Sequence, residues 1–454
     1  MLSAGTLSPR SGAPSRWSRY RAGLRRRPAV TAALLVAALA VPAAAVAVQV
    51  AIRDRTAVVP LDSGTIAVTG PRQRVVVDDA GTTSGGSALL PGSRALDPAT
   101  AAAQQAWLDA GTIPGAGTRW QPMARIALLD LHALTLPGGA AVAGWSPIWR
   151  FVWPRDASFT AAAYARTGHL ADAEAVLAFL QQVQSPDGTF QARYRPDGSG
   201  PPDARGTELD GSGWVLWGVA QVAAAQPNPA ARTAFVRRVA ALVTRSAHAC
   251  LRSLSTPSGL PPAARDYWET TESVLTLGTV APLLAGLRAA SPLATDLADP
   301  ALAASTARAA TSLDATIRGR FGPAGYPRRL GGDARDAAVT FLLPPFADPA
   351  SPADPRLTQA WLQAQSELRR PGGGLAPGAD WKSDGVSWTP ETALFALSAA
   401  STGRHDLAAG WLDWLDRHRT AQGSLPEKVT ADGRPAAVAP LAWTAASVLL
   451  ALSA

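Results

Sequence analysis

The chain has 454 residues, 47% apolar and 17% charged, enough apolar content for a large core and too much for a disordered polymer. Its formal charge of +8 lies wholly within residues 1–55, where nine arginines face Asp54 alone. The rest carries equal numbers of acids and bases and lacks the clustered basic face that nucleic acid requires.

Residues 1–27 form a basic arm, read as cytoplasmic. Residues 28–52 follow without a charged side chain, long enough for a transmembrane signal-anchor helix across roughly 30 Å of hydrocarbon. The arginines ahead of this stretch place the N-terminus in the cytoplasm and the body outside it, on a single-pass cell-membrane protein. Ala45-Val46-Ala47 supplies the competing reading, a cleaved signal peptide. Residues 53–97 are rich in Gly, Ser and Pro and are expected to be an extended stalk, with a short strand at Val75-Val76-Val77.

From residue 98 to 454 apolar residues recur at helical spacing, and strand-like alternation is scarce. Helices are predicted near 98–110, 120–135, 156–167, 170–184, 210–224, 230–250, 272–290, 300–318, 334–345, 355–369, 390–402, 405–419 and 440–453. Residues 153–190 also match 388–425 without gaps. Trp153 meets Trp388, Asp156 meets Glu391, Thr167-Gly168 meets Thr402-Gly403, and Gly188 meets Gly423. Each copy reads as one helical hairpin. Hairpins of varying length with long decorated loops fit a closed ring better than a solenoid of steady period. The fold class is therefore all-α, an (α/α)6 toroid, and it is expected to be a monomer.

Several of the fifteen tryptophans accompany carboxylates in loops: Trp149 to Trp153 ahead of Arg155-Asp156, Glu208 and Asp210 before Trp214, Asp266-Tyr-Trp268-Glu269, Asp380-Trp381-Lys382 before Trp388, and Glu427-Lys428 before Trp443. Gathered at one end of a ring, these loops make an aromatic funnel with acids at its base. Sugars suit such a site, because their C–H faces stack on indole and their hydroxyls seek carboxylate and guanidinium partners. Acetal hydrolysis needs a protonated acid for the leaving oxygen and an ionised carboxylate for water or nucleophile. Taken singly, Asp156 and Asp210 read as first-turn helix acids, and Glu391 after Thr389-Pro390 reads as an ordinary cap. Cys250 is the only cysteine and the five histidines are dispersed, so no metal site or cofactor is called.

Together these segments resemble the glucoamylase family of glycoside hydrolases, inverting exo-acting α-glucosidases on an (α/α)6 barrel, from about Ala124 to the end of the chain. Trp153-x-Arg155-Asp156 looks like the family's W-x-R-D, whose Arg and Asp grip the terminal sugar. Asp266-x-Trp268-Glu269 resembles its D-x-W-E, which implies Glu269 as general acid. Leu425-Pro426-Glu427, with Trp443 beyond, resembles the segment of the general base and a stacking tryptophan. Substrate-binding roles then fall to Arg155, Asp156, Trp153, Trp268, Asp210, Asp380, Trp388 and Trp443. Departures are Thr270 for a second acid, Glu208 for a Gln, and Ala376-Pro377 for an Arg-Tyr pair, with Lys382 the candidate replacement cation. The resemblance implies an envelope-anchored hydrolase of oligosaccharide or polysaccharide ends. The alternative is a non-catalytic glycan-binding or envelope-assembly protein on the same toroid.

Overall fold

The computed structural model describes residues 59–348 and 354–454. The basic arm and the membrane helix expected over 28–52 lie outside the described residues. After a hairpin of β1 (Thr65–Gly70) and β2 (Gln73–Val77) come α1 (Pro98–Asp109) and α2 (Gln121–Leu134), then the short pair β3 (Thr135–Leu136) and β4 (Ala140–Ala141). The helices continue as α3 (Pro154–Arg166), α4 (Leu170–Val183), α5 (Asp210–Ala224), α6 (Pro229–Arg238) and α7 (Ala240–Ser253). Next are α8 (Leu277–Asp296), α9 (Pro300–Arg320), α10 (Pro355–Glu367), α11 (Thr389–Ser401), α12 (His405–Arg417) and α13 (Ala442–Leu452).

α3, α5, α8, the 3-10 segment Ala337–Leu342, α11 and α13 pack side by side in that order, and α13 returns to α3 to close an inner ring. α2, α4, α7, α9, α10 and α12 pack around it, which gives the predicted toroid. Burial follows the two layers. Every residue of α3 from Pro154 to Ala165 is buried, whereas α4 buries one stripe, Ala173, Val176, Leu177, Phe179 and Leu180. α8 is long and apolar enough to cross a membrane, but 83% of that stretch is buried inside the body, so it is a core helix. It meets α5 through glycine: a Cβ on Gly213 would lie 2.2 Å from the carbonyl oxygen of Pro282, so only glycine allows that approach.

Three expectations change. The inner helix predicted over 334–345 is only one short 3-10 segment, because Asp336 caps it from one side and Pro344-Pro345 ends it on the other. The block predicted over 230–250 is two helices, α6 and α7, joined at Val239. The described part of the 53–97 stalk is folded onto the body. Ile66, Ala67 and Val77 are fully buried, Thr420 donates to the carbonyl of Gly64 at 2.6 Å, and the Ser424 and Thr65 hydroxyls pair at 2.8 Å. Arg94 is buried and pairs with buried Asp130. Small polar residues mark this segment as a spacer by composition, yet its backbone, its hydroxyls and Arg74 and Arg94 supply the bonds that dock it.

Candidate active site

Proline sets the entry into the inner helices. Trp153 precedes Pro154 and is extended, as a residue before proline must be, so the chain turns into α3 with Arg155 and Asp156 in its first turn. α11 repeats the device with Trp388, Pro390 and Glu391. The small sheet β5 (Ser387–Trp388), β6 (Lys428–Val429) and β7 (Pro435–Ala436) sets Trp388 opposite Lys428. Glu427, just ahead of β6, is held on both sides: its N–H donates to Val438 at 2.8 Å and its carbonyl accepts from Thr389 N–H at 3.0 Å.

These ends meet around one cavity. Its wall includes Glu269, Glu427, Trp153, Arg155, Asp156, Trp268, Trp388 and Trp443, eight of the ten predicted site residues. The other two lie elsewhere. Asp210 is buried behind the wall, 3.8 Å from Arg155 and accepting from the Trp214 indole at 3.2 Å; burial pushes its carboxyl up to about 6. Asp380 is half exposed and pairs with Arg329 at 3.4 Å, while its neighbour Trp381 lines the cavity instead. Lys382 has its ammonium 5.5 Å from the centre of the Trp381 ring and is not in the wall. Ala376 is fully buried, and the Pro377 carbonyl accepts from the Ala337 N–H at 2.9 Å. The expected replacement cation therefore comes from elsewhere: Lys428, Arg193 and Arg205 line the cavity.

The loop carrying Glu269 is tightly bound. Asp266 accepts from the Trp268 N–H at 3.0 Å and from the Thr276 hydroxyl at 2.7 Å, and it pairs with buried Arg328 at 2.8 Å. Arg328 also binds Asp336 at 2.7 Å and lies 3.7 Å from the centre of the Trp268 ring. Gly378 lets that indole in, since a Cβ there would come within 2.4 Å of the ring. Glu269 itself has a φ of 55°, a conformation that costs a non-glycine residue about 1–3 kcal/mol and so marks a position held by its surroundings. Its N–H donates to Asp266 at 2.7 Å, and its carboxylate pairs with Arg205.

Glu427 is buried, 3.3 Å from the Lys428 ammonium. Burial pushes its carboxyl up while that ammonium pulls it down. Glu391, read from sequence as a plain cap, is in the first turn of α11 and also in the cavity wall. Burial, with the negative charge of Glu427 behind it, pushes Glu391 up to about 8. The internal repeat, which pairs it with Asp156, was the available signal. Burial likewise drives Glu208 well above the usual carboxylate range, favouring a neutral acid that offers a donor and an acceptor as glutamine does.

The wall is unusually short of partners. The indole N–H groups of Trp153, Trp268, Trp381, Trp388 and Trp443 are buried without a hydrogen bond. So are Arg155 Nε and Nη1 and one carboxyl oxygen each of Asp156, Glu391 and Glu427. The 3.3 Å contact of Arg155 with Asp156 is an ion pair without hydrogen-bond alignment. Buried polar groups are ordinarily satisfied, so a wall alternating free donors and acceptors between aromatic faces fits a ligand dense in hydroxyls.

Neither a family model nor a curated protein sequence matches the chain. Solved structures do. A glycosidase, known also in complex with glucose, is 22% identical with a TM-score of 0.62 over 72% of this chain and 95% of its own. A bacterial glucoamylase complexed with acarbose is 16% identical, with a TM-score of 0.62 over 77% of this chain and 57% of that one. The body has the glucoamylase fold. The glucoamylase of Saccharomycopsis fibuligera, 13% identical with a TM-score of 0.56, covers 69% of this chain and 88% of its own.

Proposed function

We propose that the chain is a glycoside hydrolase that releases sugar from α-glucosidic ends with inversion. Glu269 protonates the leaving oxygen, and Glu427 takes a proton from the water that attacks the anomeric carbon from the opposite face. The observation that carries this reading is the shared cavity: both glutamates line it, between tryptophans whose indole N–H groups lack partners. The glycosidase of the same fold has been solved with alanine at two glutamates whose spacing matches that of Glu269 and Glu427 to within one residue. The cavity encloses about 240 Å³, below the ~300–1,000 Å³ common for drug-sized ligands, which suits one terminal sugar with the leaving portion outside. Arg155 and Asp156 hold that sugar, and Trp268 and Trp443 stack on it. The body works outside the cytoplasm on a helix over 28–52.

Incubating the full chain with maltooligosaccharides, isomaltose and trehalose, and following glucose and its anomer by NMR, tests this. Glu269→Gln and Glu427→Gln are each expected to lower turnover by about 10²–10⁴-fold. Turnover undiminished in both variants rules the assignment out. A second reading, glycan binding without hydrolysis, draws on the cations set against both glutamates, Arg205 on Glu269 and Lys428 on Glu427. It predicts binding that survives both substitutions and no glucose release from the unaltered chain.

A further inference from the structure

The mouth of the cavity holds more positive charge than its carboxylates neutralise. Arg205 pairs with the Glu269 carboxylate, Arg265 donates to the Glu269 carbonyl at 2.9 Å, and Arg193 lies in the same wall, 5.0 Å from the centre of the Trp153 ring. Two carboxylates oppose these three guanidinium groups: Glu269 itself, and Asp203, which binds Arg193 and, at 3.4 Å, Arg205. Arg265 has no carboxylate partner among the described residues; its other bond goes to the Thr271 hydroxyl at 2.8 Å. The Arg193 side chain is 8% exposed, and its Nε has no partner. Glu208 also faces Arg205, but burial holds it toward the neutral acid. Burial, and after it the charge of Arg193, push Arg205 down against the pull of Asp203 and Glu208.

Depth places this cluster in the reaction. Arg155 and Glu427 are nearly fully buried, whereas the side chains of Glu269 and Arg205 are 28% and 33% exposed. On the hydrolase reading the terminal sugar fills the closed end, and the leaving portion projects past Glu269 into the arginines. Arg205 is the partner of the Glu269 carboxylate, so an anion on the leaving portion competes with Glu269 for it. Glu269, as the acid of the hydrolase reading, passes its proton to the glycosidic oxygen as the bond to the anomeric carbon breaks. The water oxygen bonds to that carbon and releases its proton to Glu427.

We propose that the leaving portion of the substrate carries a carboxylate or phosphate, bound by Arg205 together with Arg193 and Arg265. This rests on the hydrolase reading above. The test compares kcat/KM of the full chain for glucose release from α-glucosylglycerate, α-glucosylglycerol phosphate and neutral α-glucosylglycerol. A charge-assisted contact predicts a preference of roughly tenfold or more for an anionic compound, and the better of the two identifies the group. Arg205→Gln, on an exposed part of a loop, should bring the ratio close to one. Equal turnover of all three compounds, or a ratio unmoved by Arg205→Gln, overturns the proposal and leaves the hydrolase standing. Release from none of the three overturns the proposal, and release neither from these nor from maltooligosaccharides overturns the hydrolase reading as well.

Discussion

Glu391 is 2% exposed in the first turn of α11, and its carboxyl is pushed from 4.5 up to about 8 by burial and by Glu427. Arg155 and Lys428 face it and oppose the shift, and Tyr267, itself driven upward by burial, stays neutral beside it. The unfolded chain loses this proton near 4.5, whereas the folded chain keeps it until about 8. Between those values the folded state binds more protons, so rising pH destabilises it, by about 1.4 kcal/mol per pH unit. Across the whole window the loss comes to about 5 kcal/mol, and above it both states are ionised and the effect is flat. Glu391→Gln keeps the shape and removes the titration. Urea unfolding of both proteins from pH 5 to pH 9 measures the difference, and other groups titrating in this range, such as Asp210 and Asp336, largely cancel in it. The variant should gain on the unaltered chain steadily up to about pH 8 and then hold its advantage. Parallel stability curves across the window would refute the burial argument.

Gly378→Ala sets a methyl group 2.4 Å from the Trp268 ring, which must move; a loss of about 1–3 kcal/mol and a changed tryptophan emission are expected, and unaltered emission contradicts the contact. Asp130→Ala strands Arg94 inside the body and should cost about 3–5 kcal/mol in denaturant unfolding, against less than 1 if the docked N-terminal segment is dispensable. Expressed from its first residue, the chain should stay in the membrane pellet through alkaline carbonate extraction. A soluble product shortened near Ala47 would instead establish a cleaved signal.

The inner helices were legible because their burial is written locally: α3 and α11 announce themselves by tryptophan and proline ahead of an apolar run, and the two hairpins share their turns. Trp153 to Asp156, Trp388 and Trp443 lie at helix starts, whereas Glu269 and Glu427 lie in loops well ahead of α8 and α13. Depth was not legible. An acid after Thr389-Pro390 has one local meaning, and only the packing of α11 beside α13 and β5 makes Glu391 part of a cavity wall. Asp380 and Trp381 are adjacent, yet one faces solvent and the other the cavity, a matter of loop path that spacing does not encode. Arg193, Arg205 and Arg265 come together from segments with no shared pattern. The docked hairpin was hidden for a related reason, since its partners lie more than 300 residues away.

That last separation also bears on how the body assembles. Gly64 binds Thr420, Asp62 binds Ala437, and Ser63 binds Ala439, so the start of the folded body is fastened to chain segments on both sides of Glu427. Contacts this distant are slow to form, because the loop-closure entropy comes due before they do. The hairpin can rest on α2 early, through Arg74 and the carbonyl of Ala133, but its bonds to Thr420 and Ser424 wait for nearly the last helix. Glu427, whose backbone is held by Val438 and Thr389, takes its place only as the ring closes, so the activity proposed above should be acquired in a late step.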